Sequence, residues 1–372
     1  MPAANVFWCA AAVAAYVYAG YPLVLVAMRP FLGRPVRKAP FLPSVSLLIT
    51  AYNEAAVIEQ KVRNSLDLDY PADRLEIVVA SDGSSDQTAD LVRPFADGER
   101  LRLIAFPKNR GKIAAMNDAV RELKGEIVVF SDASSMLQPG SIRALAANFF
   151  DPAVGAVSGV YQLAGTGNTS IGGSEQLYWK YETFLKTQEA AMDSLLGGHG
   201  HLHAIRRPLY PFPPLDTIND DYVISVSVVA SGYRAVYEPE AIGYEEAAEM
   251  AGFQRRVRIM AGNVQQLREI PRLLKPPRIL PLFFFISHKV GRLAVPFCML
   301  AMLLSNLLLL SSPLYRVTAA LQGTFYLLSA LGAKWRLKPK VLRVPWYFSM
   351  INAATFFGIY FALRGRRRLV WK

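Results

Sequence analysis

PSVSLLITAYNE, residues 43–54, runs a β-branched and aliphatic strand into a polar tail that begins at Thr50 and ends on Glu54. The pattern returns in EIVVASDGSSD (76–86) and EIVVFSDASS (126–135), with LRLIAF (101–106) as a further apolar run. Three times, therefore, an acid stands at or just past the end of a strand: Glu54, Asp82 and Asp132. Strand ends are where an open α/β sheet presents ligand-binding groups. Helical patterns fill the gaps: AAVIEQKVRNSL at 55–66, a helix opening at Ser85 and Asp86, and one covering 112–123. Strand–helix alternation from Pro43 to about Asp151 predicts an α/β fold with a doubly wound, mostly parallel sheet.

Outward from that core, two more polar motifs follow, NDD at 219–221 and RRVRI at 255–259. Between them and the first half lie Gly-rich loops and a helix near 174–193. The chain of 372 residues is 52% hydrophobic, and part of that excess is localised. Val6 to Met28 has no charged residue and is long enough to cross a bilayer. No Lys or Arg precedes it, while Arg29, Arg34, Arg37 and Lys38 follow; a cleavable signal would show the opposite order. The expectation is an uncleaved anchor with the next domain in the cytoplasm. Further apolar runs cover about 293–311, 314–333 and 344–363, and Ile279 to Leu293 is too short and charged to span alone, so an interfacial position is expected. Basic clusters on both sides of 344–363 favour a re-entrant or interfacial path for that segment. The expected division is 1–28 transmembrane helix, 29–42 linker, 43–250 catalytic domain, 251–292 interfacial helices and 293–372 membrane region.

The net charge of +12 does not point to nucleic acid, because the basic residues gather beside apolar segments, as membrane-surface charge does. Cys9 and Cys298 both lie in apolar segments and give neither a disulfide framework nor a thiol metal site. No G-x-G-x-x-G follows the first strand, which excludes the common dinucleotide fingerprint. His199, His201 and His203 share a spacing of two but have no Cys or acid nearby, so acceptor contacts or strand packing are preferred to zinc. His288 reads as interfacial.

Taken together, PSVSLLITAYNE, IVVASDGSSDQT, NRGKIAAMNDA, FSDASS and the paired Asp220–Asp221 before an Arg-rich helix resemble the membrane-integrated family-2 glycosyltransferases, among them hyaluronan, chitin, cellulose and poly-N-acetylglucosamine synthases. The resemblance covers roughly 43–300. It implies the GT-A type of doubly wound sheet and inverting hexosyl transfer from a UDP-sugar to a glycan or lipid-linked acceptor. The setting would be polysaccharide synthesis at the cytoplasmic face of a bacterial inner membrane, with Mg²⁺ or Mn²⁺ as cofactor and the bilayer as partner. Residue by residue, it assigns the nucleotide-sugar to Thr50, Glu54, Asp82, Lys112, Asp132 and Arg258. It assigns the metal to Asp132 with Ser134, and the acceptor to Gly200, His201 and Arg255. Asp221 falls at the general-base position, with Asp220 the acid before it. Two departures stand out. The usual second carboxylate of the Asp-x-Asp pair is Ser134, and Ile259 stands where processive synthases carry a Trp. Loss of that ring argues for single addition or short extension.

Simpler alternatives exist for each motif: Asn53, Glu54 or Ser84–Asp86 as helix caps, Asp220 and Asp221 as favourable charges at a helix start, Arg255 and Arg256 as lipid-facing bases. A non-catalytic nucleotide-sugar-binding scaffold is the competing class, and it is disfavoured by retention of both Asp220–Asp221 and Arg258. The central expectation is spatial: Asp82, Asp132, Asp221 and Arg258 should converge on one cleft.

Overall fold

A computed structural model describes residues 2–164, 172–246, 252–274, 277–335 and 340–364. The basic cluster at 365–372 and part of that at 334–343 lie outside the described residues.

One eight-stranded sheet organises the chain. Its strands are β1 (Val45–Ala51), β2 (Leu75–Asp82), β3 (Leu101–Phe106), β4 (Ile127–Asp132), β5 (Met136–Leu137), β6 (Val154–Ala164), β7 (His203–Arg206) and β8 (Arg234–Glu246). They lie in the order β3-β2-β1-β4-β7-β6-β8-β5. The first four pair in parallel; β7 then runs antiparallel between β4 and β6. The β1 sequence is apolar on alternate and intervening positions alike, and all seven of its residues are buried, as expected for a central strand covered on both faces. Leu48, Val78, Val128 and Phe130 enter one core, whereas Leu47, Ile49, Ile77 and Val129 enter the other. Two-residue periodicity sends successive side chains to opposite layers. The mixed, mostly parallel sheet was thus legible, while the antiparallel insertion of β7 was not.

The helices are α1 (Pro2–Leu32), α2 (Ile58–Leu66), α3 (Thr88–Val92), α4 (Lys112–Glu122), α5 (Ser141–Asn148), α6 (Gly172–Met192), α7 (Asp220–Ala230) and α8 (Gly252–Gln265); all but α5, unanticipated from the sequence, fall where helices were expected. Among the described residues, three helices are long and apolar enough to cross a membrane: α1, α9 (Ile279–Leu308) and the Val344–Leu363 part of α11 (Lys340–Leu363). Between the last two, α10 (Pro313–Trp335) is helical but less apolar. Here one expectation is corrected. Ile279–Leu293 does not stand as a separate interfacial piece; it is the first half of one 30-residue helical run, with a π-turn at Phe285–Val290. Two of its basic residues, His288 and Arg292, meet carboxylates of α6. His288 is likewise not interfacial: it is buried, with Nδ1 2.8 Å from Glu189 and Nε2 3.3 Å from Glu182.

Helix α11 lies along α8. A Cβ on Gly358 would come within 2.8 Å of the Ala261 backbone nitrogen, and Ala354 shares a small core with Val257 and Met260. The last apolar segment therefore flanks the Arg-rich motif directly.

Candidate active site

The site begins at the ends of β1, β2 and β4. Register sets Thr50 between Ala80 and Asp132 on the two neighbouring strands. Asp82 closes β2 and is only 1% exposed. Its carboxylate accepts the backbone N–H of Arg110 at 3.1 Å and of Gly111 at 2.7 Å. Gly83 has φ +65°, and a side chain there would run into the backbone of Lys108 and Asn109. The sequence Ser-Asp-Gly is thus a clamp on the 108–111 loop, and the loop delivers Lys112 to the first turn of α4. Asp86 accepts the Thr88 N–H at 3.0 Å and the Ala55 N–H at 3.1 Å, the capping use anticipated for that acid. Glu54 is half-buried; burial first, then the nearby charge of Asp132, raises its pKa.

Lys112 Nζ stands 2.9 Å from Asp132 Oδ1 and 3.3 Å from Asp220 Oδ2. Burial alone would lower the lysine's pKa, but the two carboxylates outweigh it and raise it. Burial likewise works against ionised Asp132, and the charge and hydrogen bond of Lys112 together with His201 more than offset it. Asp221, the next residue of α7, has the opposite fate. Burial raises its pKa, the adjacent Asp220 charge raises it further, and Lys186, Lys112 and Lys289 oppose this without overcoming it. Two neighbouring acids thus differ: Asp220 is paired with Lys112, while Asp221 has its pKa raised, the direction that makes a carboxylate a better base.

Helix α8 is docked onto the start of α7 by Asn219, whose Nδ2 donates to Ile259 O at 3.3 Å and to Asn263 Oδ1 at 3.1 Å. Gly262 is required beneath it, since an added Cβ would meet the Asn219 amide at 2.5 Å. This docking brings Arg258 to the site, where Asp132 and Asp220 act on it electrostatically. Lys112, Asp132, Asp220, Asp221, Arg258, Gly200, His201 and Arg255 all line one cavity of about 600 Å³. Asp82 does not line it; it lies behind the loop it clamps. Thr50 and Glu54 do not line it either.

Ser134, expected as a metal ligand, donates its hydroxyl to Glu245 Oε1 at 2.8 Å. Glu245 was missed in the sequence. It sits near the end of β8, accepts Tyr161 OH at 2.9 Å, and lies 3.3 Å from His201 Nε2 and 4.0 Å from Arg255 Nη2. Burial would raise its pKa, but His201, Arg255 and Ser134 together bring it down to about 2. Only the pairing of β8 with β5 and β6 shows that this acid faces the Asp132 turn. Lys61 was also missed: fully buried, its Nζ donates to Ser131 Oγ at 2.7 Å and to the Ser135 carbonyl, bracing the turn that bears Asp132.

The histidine cluster divides as strand packing and cavity wall. His203 stacks on Phe130 at 4.8 Å, His199 lies 3.2 Å from Tyr237 OH, and His201 stacks on Tyr161 at 3.9 Å. Burial lowers the pKa of His203 to about 4 and that of His199 well below the usual imidazole range. Among the described residues no group of three or more His, Cys, Asp or Glu could hold a metal.

A mixed sheet with acids on its strand ends, a Lys–Asp–Asp cluster and an Arg-bearing helix beside apolar helices is the architecture of the GT-A fold. Residues 46–211 match the family model for glycosyl transferase family 2. Among solved structures it is similar to the mannosyltransferase PcManGT from Pyrobaculum calidifontis, in complex with GDP-Man and Mn²⁺, at 25% identity and TM-score 0.76 over 97% of this chain and 99% of that one. Poly-beta-1,6-N-acetyl-D-glucosamine synthase of Staphylococcus aureus (strain COL) is 26% identical over 264 residues, 67% of this chain and 61% of that protein. A probable glycosyltransferase, YdaM, of Bacillus subtilis (strain 168) is 28% identical over 273 residues, 66% and 62% respectively. The matched region spans about three-fifths of these curated relatives.

Proposed function

We propose that the protein is an inverting glycosyltransferase that moves a sugar from a nucleoside-diphosphate sugar to a lipid-linked or glycan acceptor at the cytoplasmic face of a membrane, in polysaccharide or related glycan synthesis. One observation carries this reading: Asp221, partly buried and with its pKa raised by burial and by the adjacent Asp220 charge, shares a cavity with the Lys112–Asp132–Asp220 cluster and Arg258. The acceptor hydroxyl attacks the anomeric carbon while its proton passes to the Asp221 carboxylate. The bond from that carbon to the diphosphate breaks, and the electron pair leaves on the nucleoside diphosphate. Lys112 and Arg258 are the cations placed to stabilise that departing charge, Arg258 through a guanidinium suited to bidentate phosphate contact. Asp220 keeps Lys112 aimed between itself and Asp132.

A divalent cation fits this site in a limited way. Asp132 offers one carboxylate, and Glu245, reached through the Ser134 hydroxyl, offers a second close by. Mg²⁺-type ions are commonly held by one or two carboxylates and completed by substrate phosphates, so no three-residue cage is needed. Bound there, the ion would neutralise diphosphate charge. The residues that would hold it are Asp132 and Glu245, with Ser134 positioning the second.

The sequence resemblance favours a UDP-sugar donor. A second reading, GDP-mannose, is favoured by the likeness, across nearly the whole chain, to a mannosyltransferase in complex with GDP-Man. Purified protein in detergent, given UDP-sugars and GDP-mannose with Mg²⁺ or Mn²⁺, decides both points through nucleotide release. Release from one donor by wild type and its loss in Asp221→Asn supports the proposal; equal slow release by both proteins leaves the scaffold alternative.

A further inference from the structure

The cavity does not stop at the reacting groups. Its far end is walled by α6, α9 and α11, and there Arg256, Lys289, Arg292 and Lys186 line it together with Glu182. Arg292 pairs with Glu182, lies over the rings of Tyr178 (5.7 Å) and Tyr181 (5.6 Å), and leaves a buried Nη2 with no hydrogen-bond partner among the described residues. Arg256 lies over Tyr178 (5.7 Å) and Tyr347 (5.5 Å). Lys289 forms no salt bridge among the described residues. Apolar Leu293, Val344, Phe348 and Ile351, all on membrane-candidate helices, complete the wall.

Helix α8 sorts its cations between the two ends. Arg255 and Arg258, three residues apart and so on one face, attend Glu245 and Asp132; Arg256, a third of a turn away, joins the tyrosines. The Arg258 end has its anion in the diphosphate of the donor. The other end has Lys289 outside any salt bridge among the described residues, an Arg292 nitrogen without a hydrogen-bond partner among them, and an apolar wall. A neutral glycan lodged there would leave those two groups desolvated without compensation, which is costly.

On the strength of the glycosyltransferase reading above, we infer that this membrane end binds the phosphate or diphosphate of a lipid-linked acceptor, with Arg256, Lys289 and Arg292 on the anion and the lipid chain along α9 and α11. The acceptor sugar then projects from the lipid phosphate toward Asp221. Its hydroxyl loses a proton to Asp221 and bonds to the donor's anomeric carbon. The lipid phosphate passes through unchanged.

The test is binding without any donor. Detergent-purified full-length protein is melted with phytanyl phosphate, phytanol, inorganic phosphate or phosphatidylglycerol at matched concentrations. Phytanyl phosphate is expected to raise the wild-type melting midpoint, and the other three to leave it unmoved. Lys289→Gln, and the Glu182→Gln/Arg292→Gln pair that keeps local charge balance, should each weaken the phytanyl phosphate effect about tenfold or more, as loss of a charged hydrogen bond implies. Equal protection by phytanol would make the end a plain apolar slot. Equal protection by inorganic phosphate or phosphatidylglycerol would make it a general anion site, and unchanged binding in both variants would remove these cations from it; any of the three overturns the inference. A wild type that binds phytanyl phosphate but turns over no donor would instead overturn the catalytic reading and leave the lipid subsite standing.

Discussion

The two ends of the cavity are built by different rules. At the donor end, motif order and geometry largely coincide: Asp132, Lys112, Asp220 and Asp221 sit at a strand end or first helical turn within their own motifs, with Glu245 and Arg258 brought in from β8 and α8. Thr50 and Asp132 are neighbours by register, and Lys112 follows the loop that Asp82 clamps. At the membrane end, the interacting set comes from five distant segments: Tyr18, Glu182, Arg256, Arg292 and Tyr347. The contrast teaches that a parallel sheet places chemistry by local rules, while a helical membrane collar places it by long-range packing.

Asp221→Asn probes the donor end hardest. Transfer should fall about 10²- to 10⁴-fold, the usual contribution of a general base, with the melting midpoint kept. A variant that retained wild-type turnover would leave the two ends chemically undistinguished. At the membrane end the largest effect is on folding. Glu182→Gln leaves Arg292 and His288 facing a neutral amide in a buried place, a change that costs roughly 3–5 kcal/mol when a buried pair is broken. Thermal melting should show the loss, and Glu182→Gln/Arg292→Gln should regain a good part of it. If the single variant melts like wild type, this pair is not part of the collar's framework.

Glu245→Gln sharpens the comparison at the donor end. Mn²⁺ affinity in the presence of nucleoside diphosphate, read by calorimetry, should drop about tenfold, as for supporting ligands around a metal. Asp220→Asn should move the acid limb of the pH–rate profile. Asp220 raises the Asp221 pKa, so removing its charge lowers that pKa and shifts the limb to lower pH. A shift to higher pH would contradict the assigned roles. The smallest effect belongs to Lys61, whose pKa burial lowers to about 7 from 10.5. The unfolded chain binds the extra proton between those values, so this residue makes stability rise with pH across that window and not below it. Melting midpoints of wild type and Lys61→Met against pH should differ in slope there.

Much of the donor end was legible because strands and their terminal acids are contiguous in sequence. VSLLITAYNE and EIVVFSDASS each state both the strand and the group it presents. The adjacent pair Asp220–Asp221 was also visible, as was the Arg at 258. Glu245 was not, because nothing in YEE says that β8 crosses to the Asp132 turn. Nor was the path of Ile279–Leu293, whose charges argued against a membrane helix until Glu182 and Glu189 were seen to meet His288 and Arg292.

By itself, then, the sequence determined the strands of the first half, the acids at their tips and the presence of apolar helices, since these follow from periodicity and hydropathy read over short windows. Tertiary structure alone decided which of two adjacent aspartates is ion-paired with Lys112 and which has its pKa raised. It also decided which arginine of one helix faces the donor and which faces the membrane. The physical reason is that ionisation and pairing depend on burial and on charges brought in from distant segments, and no stretch of chain contains its own surroundings.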